Sequence, residues 1–302
     1  MVARQRVANE KADQCRPARV TGTKKTYYQP VRSDAQLFPH TRRLQCMCLM
    51  IFAHQISLEY PLLVAANRDE FHSRPTVPSE FWAEYPQLLA GRDLQQGGTW
   101  MGMTRSGRFA AVTNFRDPSR TSVAPRSRGQ LPLEYLTATE GPQAYLHEVT
   151  SRAGEYAGFN LLVGDRHSLW YFSNSDGGAP RSLPPGVYGL SNASLDTPWP
   201  KVELGKANLL ALLDAGAISH SALASVVADR HLADQCNLSQ GPGNSMEPQL
   251  SAQFIVTDAY GTRSSTTVWT DTHHRVNWRE LSFDARGEIC AERQQAFFLG
   301  PA

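Results

Sequence analysis

Cysteine is scarce in this chain of 302 residues: Cys15, Cys46, Cys48, Cys236 and Cys290 are an odd-numbered set, scattered except for the two that flank Met47. So sparse a set argues against a disulfide scaffold and for a reducing compartment. There is no Cys-x-x-Cys pair, no Cys-x-x-Cys-His haem attachment, no His-Glu-x-x-His and no Gly-x-x-x-x-Gly-Lys loop. No structural zinc, covalent haem or phosphate-cradling loop is therefore expected, and no cofactor or metal is assigned. No window reaches about 18 uninterrupted apolar residues, so no integral membrane helix is expected. Charge of one sign is lacking too, with 30 Lys and Arg against 28 Asp and Glu and a net of +2. Residues 1–46 hold ten Lys and Arg against three Asp and Glu, a net of +7, which leaves −5 for the remainder. A mildly acidic body is not the phosphate-binding face of a nucleic-acid protein.

What is present divides at residue 46. Residues 1–46 mix Arg4, Arg6, Lys11, Arg16, Lys24, Lys25, Arg42 and Arg43 with apolar fragments that keep no period, and no apolar core of a secretory signal follows the basic residues. This stretch reads as a disordered basic leader, an organelle transit peptide, or the product of a start codon set too far upstream of Met47. Residues 47–302, in a chain that is 41% hydrophobic, read as a single domain. The absent signal and the free cysteines point to the cytoplasm.

Short apolar runs predict strands over Cys48–Ala53, Leu62–Ala66, Thr99–Met103, Arg108–Thr113, Tyr156–Val163, Ser168–Phe172 and Gly186–Leu190. Late strands are expected over Phe254–Thr257, Ser265–Thr270 and Val276–Leu281. Helical spacing predicts helices over Leu131–Leu136, Gln143–Ser151, Val202–Leu213 and His220–Ala228. Strands and helices arrive in blocks, which favours an α+β layered domain over a doubly wound parallel sheet.

Two places carry chemistry. Asn67-Arg68-Asp69-Glu70 follows the apolar run Leu62–Ala66, either as a solvated turn or as a site at a strand end. In a strand, Asn67 and Asp69 would share one face and Arg68 the other. Cys48 reads as a buried thiol opening a core strand, or as a nucleophile. If Met47 is removed, the residue that bears the thiol also bears the free α-amine, whose pKa of about 7.7 to 8.0 lets it act as base without a histidine. Arg92 and Asp93 read as a structural ion pair.

A series of motifs in order carries a resemblance: Met47-Cys48-Leu49-Met50, Ala66-Asn67-Arg68-Asp69-Glu70-Phe71, Ala90-Gly91-Arg92-Asp93-Leu94, Gly97-Gly98-Thr99-Trp100, Thr113-Asn114-Phe115-Arg116-Asp117, Leu190-Ser191-Asn192-Ala193 with Asp196-Thr197-Pro198-Trp199-Pro200-Lys201, and Tyr260-Gly261-Thr262-Arg263-Ser264. The chain from Cys48 to about Phe298 resembles the NRDE family, also called the transport and Golgi organisation 2 family. That family is similar to N-terminal-nucleophile hydrolases, nearest to the choloylglycine hydrolase and penicillin V acylase group.

The resemblance implies a four-layer αββα sandwich and cleavage of a small amide by an N-terminal cysteine. By position it implies Cys48 as nucleophile, Asp69 with Arg68 holding amine and thiol, Asn192 and Asn114 as oxyanion donors, and Arg263 near the thiol. Arg68 and Asp69 are adjacent here, whereas the hydrolases usually space Arg and Asp with two residues between. The alternative is a non-catalytic carrier or trafficking protein with a haem-like ligand, since eukaryotic members of the family are associated with Golgi organisation and haem movement. No axial haem ligand stands out in the sequence.

Overall fold

Among the described residues the strands pair antiparallel and build two sheets. A computed structural model describes residues 48–116, 124–232 and 251–300. Residues 1–46, Cys236 and the loop at 239–247 lie outside the described residues.

The first sheet uses β1 (Cys48–His54), β2 (Leu62–Phe71), β10 (Gly186–Leu190), β11 (Tyr260–Thr270), β12 (Arg275–Phe283) and β13 (Ile289–Phe298), in the order β10-β1-β2-β11-β12-β13. The second runs in sequence order through β3 (Thr76–Phe81), β4 (Leu88–Asp93), β5 (Met101–Thr104), β6 (Phe109–Asn114), β7 (Phe159–Gly164), β8 (Leu169–Ser173) and β9 (Arg181–Ser182).

The layering follows from side-chain alternation. On β1 and β2, Met50, Phe52, Val64 and Ala66 face the second sheet and join Leu89, Met103, Ala111 and Leu162 in one buried cluster. Their neighbours Leu49, Ile51, Leu63 and Ala65 face away, under α3 (Pro200–Asp214) and α4 (His220–Ser225), against Val202, Leu209 and Leu223. On the other side Ala110, Leu161 and Val163 lie under α1 (Gln130–Thr137) and α2 (Pro142–Ser151), against Leu131, Tyr135 and Leu146. Each Val, Leu, Ile, Phe or Met among them contributes roughly 1.5–3 kcal/mol when fully buried. The result is an αββα sandwich in four layers, as the resemblance implies. Among the described residues no helix is long and apolar enough to cross a membrane.

Four differences from the sequence reading have physical reasons. β2 does not stop at Ala66 but continues through Asn67–Glu70 to Phe71, because those polar side chains find partners inside the protein. Phe254–Thr257 is not a strand; Phe254 packs on Phe283 with ring centroids 4.8 Å apart, so its apolar character serves packing rather than pairing. Arg92 and Asp93 do not pair with each other: Arg92 meets Glu84 at 2.5 Å and Asp93 meets Arg74 at 2.6 Å, since neighbours on a strand point to opposite faces. Cys290, on β13, is disulfide-bonded, so the expectation that the cysteines are free does not hold there.

Glu280 is a carboxyl set in the layer between the sheets. It shares the face of Val276 and Trp278, and it accepts hydrogen bonds from the Ser79 N–H at 2.9 Å and from Thr266 Oγ1 at 3.3 Å. Burial raises it from an ordinary 4.5 to about 7 in spite of those bonds.

Two outcomes follow from this packing. A Cβ on Gly205 of α3 would lie 2.6 Å from Ile51 Cγ1 in the core. Gly205→Ala, which in an open helix gains about 0.5–1 kcal/mol, is therefore expected to destabilise by about 1–3 kcal/mol in denaturant unfolding. The folded chain holds the Glu280 proton up to about pH 7 and the unfolded chain only to about 4.5, so that contribution to stability is full below 4.5 and lost as pH rises to 7. Glu280→Gln should flatten the fall in stability over this window, which amounts to at most about 1.4 kcal/mol per pH unit, when unfolding is measured at pH 5 and at pH 7.

Candidate active site

Cys48 opens β1, and the register of β1 on β2 sets it directly opposite Arg68. It shares the face of Met50 and Phe52, so its side chain enters the layer between the sheets. There it lines a small cavity together with Met50, Ala66, Arg68, Trp100 and Thr113. The indole of Trp100 closes over Gly91, where a Cβ would lie 2.1 Å from the ring.

The backbone of Cys48 is held by the turn after β10. Its N–H donates to Asn192 Oδ1 at 3.1 Å, and its carbonyl accepts from Ser191 Oγ at 2.7 Å. Asn192 in turn donates through Nδ2 to the carbonyl of Asn114 at 2.8 Å. Thr113 Oγ1 donates to the Ser191 carbonyl at 2.7 Å, and Asn160 Nδ2 donates to Thr113 Oγ1 at 3.1 Å and to the Ala193 carbonyl at 2.9 Å. The Ser191-Asn192 turn thus ties the first residue of β1 to the end of β6 in the opposite sheet.

Alternation along β2 separates the polar residues. Asn67 and Asp69 point to the helical layer. Asn67 Nδ2 donates to the carbonyls of Val227 and Gln253 at 2.7 and 2.9 Å, and Asp69 Oδ1 accepts from Thr262 Oγ1 at 2.6 Å. Burial pushes the Asp69 carboxyl up from 3.8 to about 7, against the Thr262 bond and the cations of Lys201 and Arg68. Lys201, in the first turn of α3, is buried, and burial lowers it from 10.5 to about 8 although Asp69 and Cys48 draw it upward. Arg68 points the other way, into the layer between the sheets, with its guanidinium 4.4 Å from the Trp100 ring centroid and 3.7 Å from Glu70 Oε2.

The residue Cys48 is partly exposed, yet its thiol is shielded. Burial, with the Asp69 carboxylate second, pushes the thiol up from 9.0 to about 12, while the Asp69 backbone N–H and Arg68 pull it down. With Cys48 joined to a preceding residue the sulfur is therefore a protonated thiol.

The structure brings Cys48, Arg68, Asp69 and Asn192 together, and it joins Asn114 to Asn192 through the Asn114 backbone. On β6 it is Thr113, not Asn114, that shares the inner face with Ala111. Arg263 sits at a bulge in β11, and its Nη1 donates to the carbonyls of Phe71, His72 and Arg74 at 2.9, 3.0 and 3.3 Å. No sequence signal assigned a role to Lys201, Thr262, Trp100 or Glu280. Lys201, Thr262 and Trp100 stand in the family motifs without one. Among the described residues no group of three His, Cys, Asp or Glu is placed to hold a metal ion.

Comparison with known proteins bears on this arrangement. The profile of the family described as Transport and Golgi organisation 2 matches residues 47–285. The human Transport and Golgi organization protein 2 homolog is 35% identical over 241 residues, covering 74% of this chain and 87% of that protein. The Bos taurus homolog is 36% identical over the same span, and the Drosophila melanogaster Transport and Golgi organization protein 2 is 25% identical over 275 residues, covering 80% and 95%. Among solved structures, a Caenorhabditis elegans N-acylethanolamine-hydrolyzing acid amidase ortholog aligns with a TM-score of 0.35 and 11% identity over 73% of this chain and 92% of that one, a likeness too distant to argue from. On the profile and the identities, the chain belongs to the transport and Golgi organisation 2 family.

Proposed function

We propose that this protein is a cysteine amidohydrolase of the N-terminal-nucleophile kind, acting on a small C–N amide once its chain begins at Cys48. The observation that carries this reading is the hold on Cys48: its nitrogen lies 3.1 Å from Asn192 Oδ1 at the head of an inner strand, and its side chain lines the cavity between the sheets.

In a chain beginning at Cys48 that nitrogen is the α-amine. Unprotonated, it takes the thiol proton, and the sulfur attacks the substrate carbonyl to give a tetrahedral intermediate. The new ammonium and Arg68 both favour thiolate, which offsets the burial that holds the internal cysteine at about 12. The intermediate expels the amine, which takes the proton back, and water then hydrolyses the thioester by the same route in reverse. Asn192 orients the α-amine through its carbonyl oxygen. Oxyanion stabilisation falls to Asn192, whose side chain is anchored by the Asn114 carbonyl, and one such donor is typically worth about 3–4 kcal/mol of barrier. Asp69 positions the thiol through its backbone N–H, with its carboxyl fixed by Thr262 on the far face. Arg263, bonded to three carbonyls at the other end of β2, supports the strand rather than the sulfur.

A second reading has one observation in its favour. With Cys48 internal the thiol stays protonated, and the cavity then serves a carrier of a haem-like or other small ligand.

Intact mass and N-terminal sequencing of the protein made from its own gene should find a chain beginning at Cys48. Acylated amino acids are the first amides to offer it. Cys48→Ser should lower amide hydrolysis by on the order of 10³-fold or more. Undiminished activity in that variant, or full activity in a chain with Cys48 internal, overturns the mechanism. The rate should climb with pH as the α-amine deprotonates, with a midpoint near about 7 to 8.

A further inference from the structure

Arg68 is a buried cation with little to hold it. Among the described residues its guanidinium makes no hydrogen bond. Its nearest carboxylate oxygen, Glu70 Oε2 at 3.7 Å, also lies 3.5 Å from Arg74 Nε, and Arg74 is further engaged by Asp93 at 2.6 Å. A guanidinium carries five N–H donors in a planar fork, and burying them without acceptors is unfavourable. Arg68 lies over the Trp100 ring, and these two side chains form a partition, because both line the cavity of Cys48 and both line a second cavity.

Across the second cavity stand Arg263 and Ser264. The β11 bulge between Thr262 and Ser264 turns consecutive residues toward the same space. Only Nη1 of Arg263 is bonded to protein; among the described residues its Nε and Nη2 make no hydrogen bond. Ser264 Oγ is buried and has no hydrogen-bond partner among the described residues. Glu280 completes the wall, with its two oxygens turned to Ser79 and Thr266. Two guanidinium groups and a hydroxyl therefore converge with donors to spare, which is the chemistry that recognises a planar anion.

We propose that this second cavity seats a carboxylate of the substrate, so that the protein takes small amides bearing a carboxylate, with the amide carbonyl at Cys48 and the carboxylate between Arg68, Arg263 and Ser264. The inference rests on the hydrolase reading for the identity of the bond cut, and on the cavity alone for binding.

The test uses the full chain carrying Cys48→Ser, which binds without turnover, titrated with N-acetylglycine and with the uncharged N-acetylglycinamide. Chemical-shift titration reads affinities down to the millimolar range. The carboxylate is expected to bind at least tenfold more tightly than the amide. Arg263→Gln should bring the two within about twofold, and rising salt should weaken only the carboxylate. Should Arg263→Gln fail to fold, Ser264→Ala removes a single donor and should lower the preference about threefold. Equal affinities, absence of saturable binding of N-acetylglycine, or an unchanged preference in the folded variants overturns the proposal. A clear preference in a protein that hydrolyses no amide would overturn the hydrolase reading and leave this one standing, while hydrolysis of both probes at equal kcat/KM would do the reverse.

Discussion

Cys48 faces Arg68 because β1 and β2 pair in one register, and everything else at the site depends on that pairing. Strand geometry has period two, so a slip by one residue would carry Cys48 from the layer between the sheets to the helical layer and exchange the surroundings of Arg68 and Asp69. The register is secured from both sides. Met50, Phe52, Val64 and Ala66 fill one core while Leu49, Ile51, Leu63 and Ala65 fill another, and no slipped pairing satisfies both.

That same alternation sorts the charges. Asp69 and Lys201 share the helical side of the first sheet, where burial moves both toward neutrality, one up to about 7 and the other down to about 8. Arg68, Glu70 and Glu280 belong to the space between the sheets. The sheet thus stands between two buried polar groups whose charges still act across it: the Asp69 carboxylate raises the Cys48 thiol although its Oδ1 is turned to Thr262 on the far face. Adjacent Arg68 and Asp69 therefore face different layers, one the space between the sheets and the other the helical side.

Much of this was legible in the sequence, for identifiable reasons. The central strands β1, β6 and β7 announce themselves as apolar runs because both their faces are covered. Cys48 at the head of such a run, and Asn67–Glu70 at the end of another, were visible as chemistry stranded on a core strand. What hid the rest was burial of polar residues and exposure of strands. β2 ran five residues past its apolar signal, since Asn67 and Asp69 are satisfied by Val227, Gln253 and Thr262 from far along the chain. Lys201 and Glu280 acquire significance only through neighbours that no local pattern reveals. Of the strands without a sequence signal, β3, β9 and β13 lie at the margins of their sheets, where a regular apolar alternation is not required.

Those margins have a further consequence. Two open sheets expose rows of unpaired backbone groups on which another chain could align, a standing invitation to fibrous assembly. β13 answers with Glu292, Arg293, Gln294 and Gln295 in its middle, β3 with Pro78 and an interrupted register, and β9 by ending after two residues. The poverty of apolar signal in these strands is thus itself protective: it keeps the sheets from adding a strand borrowed from a neighbour.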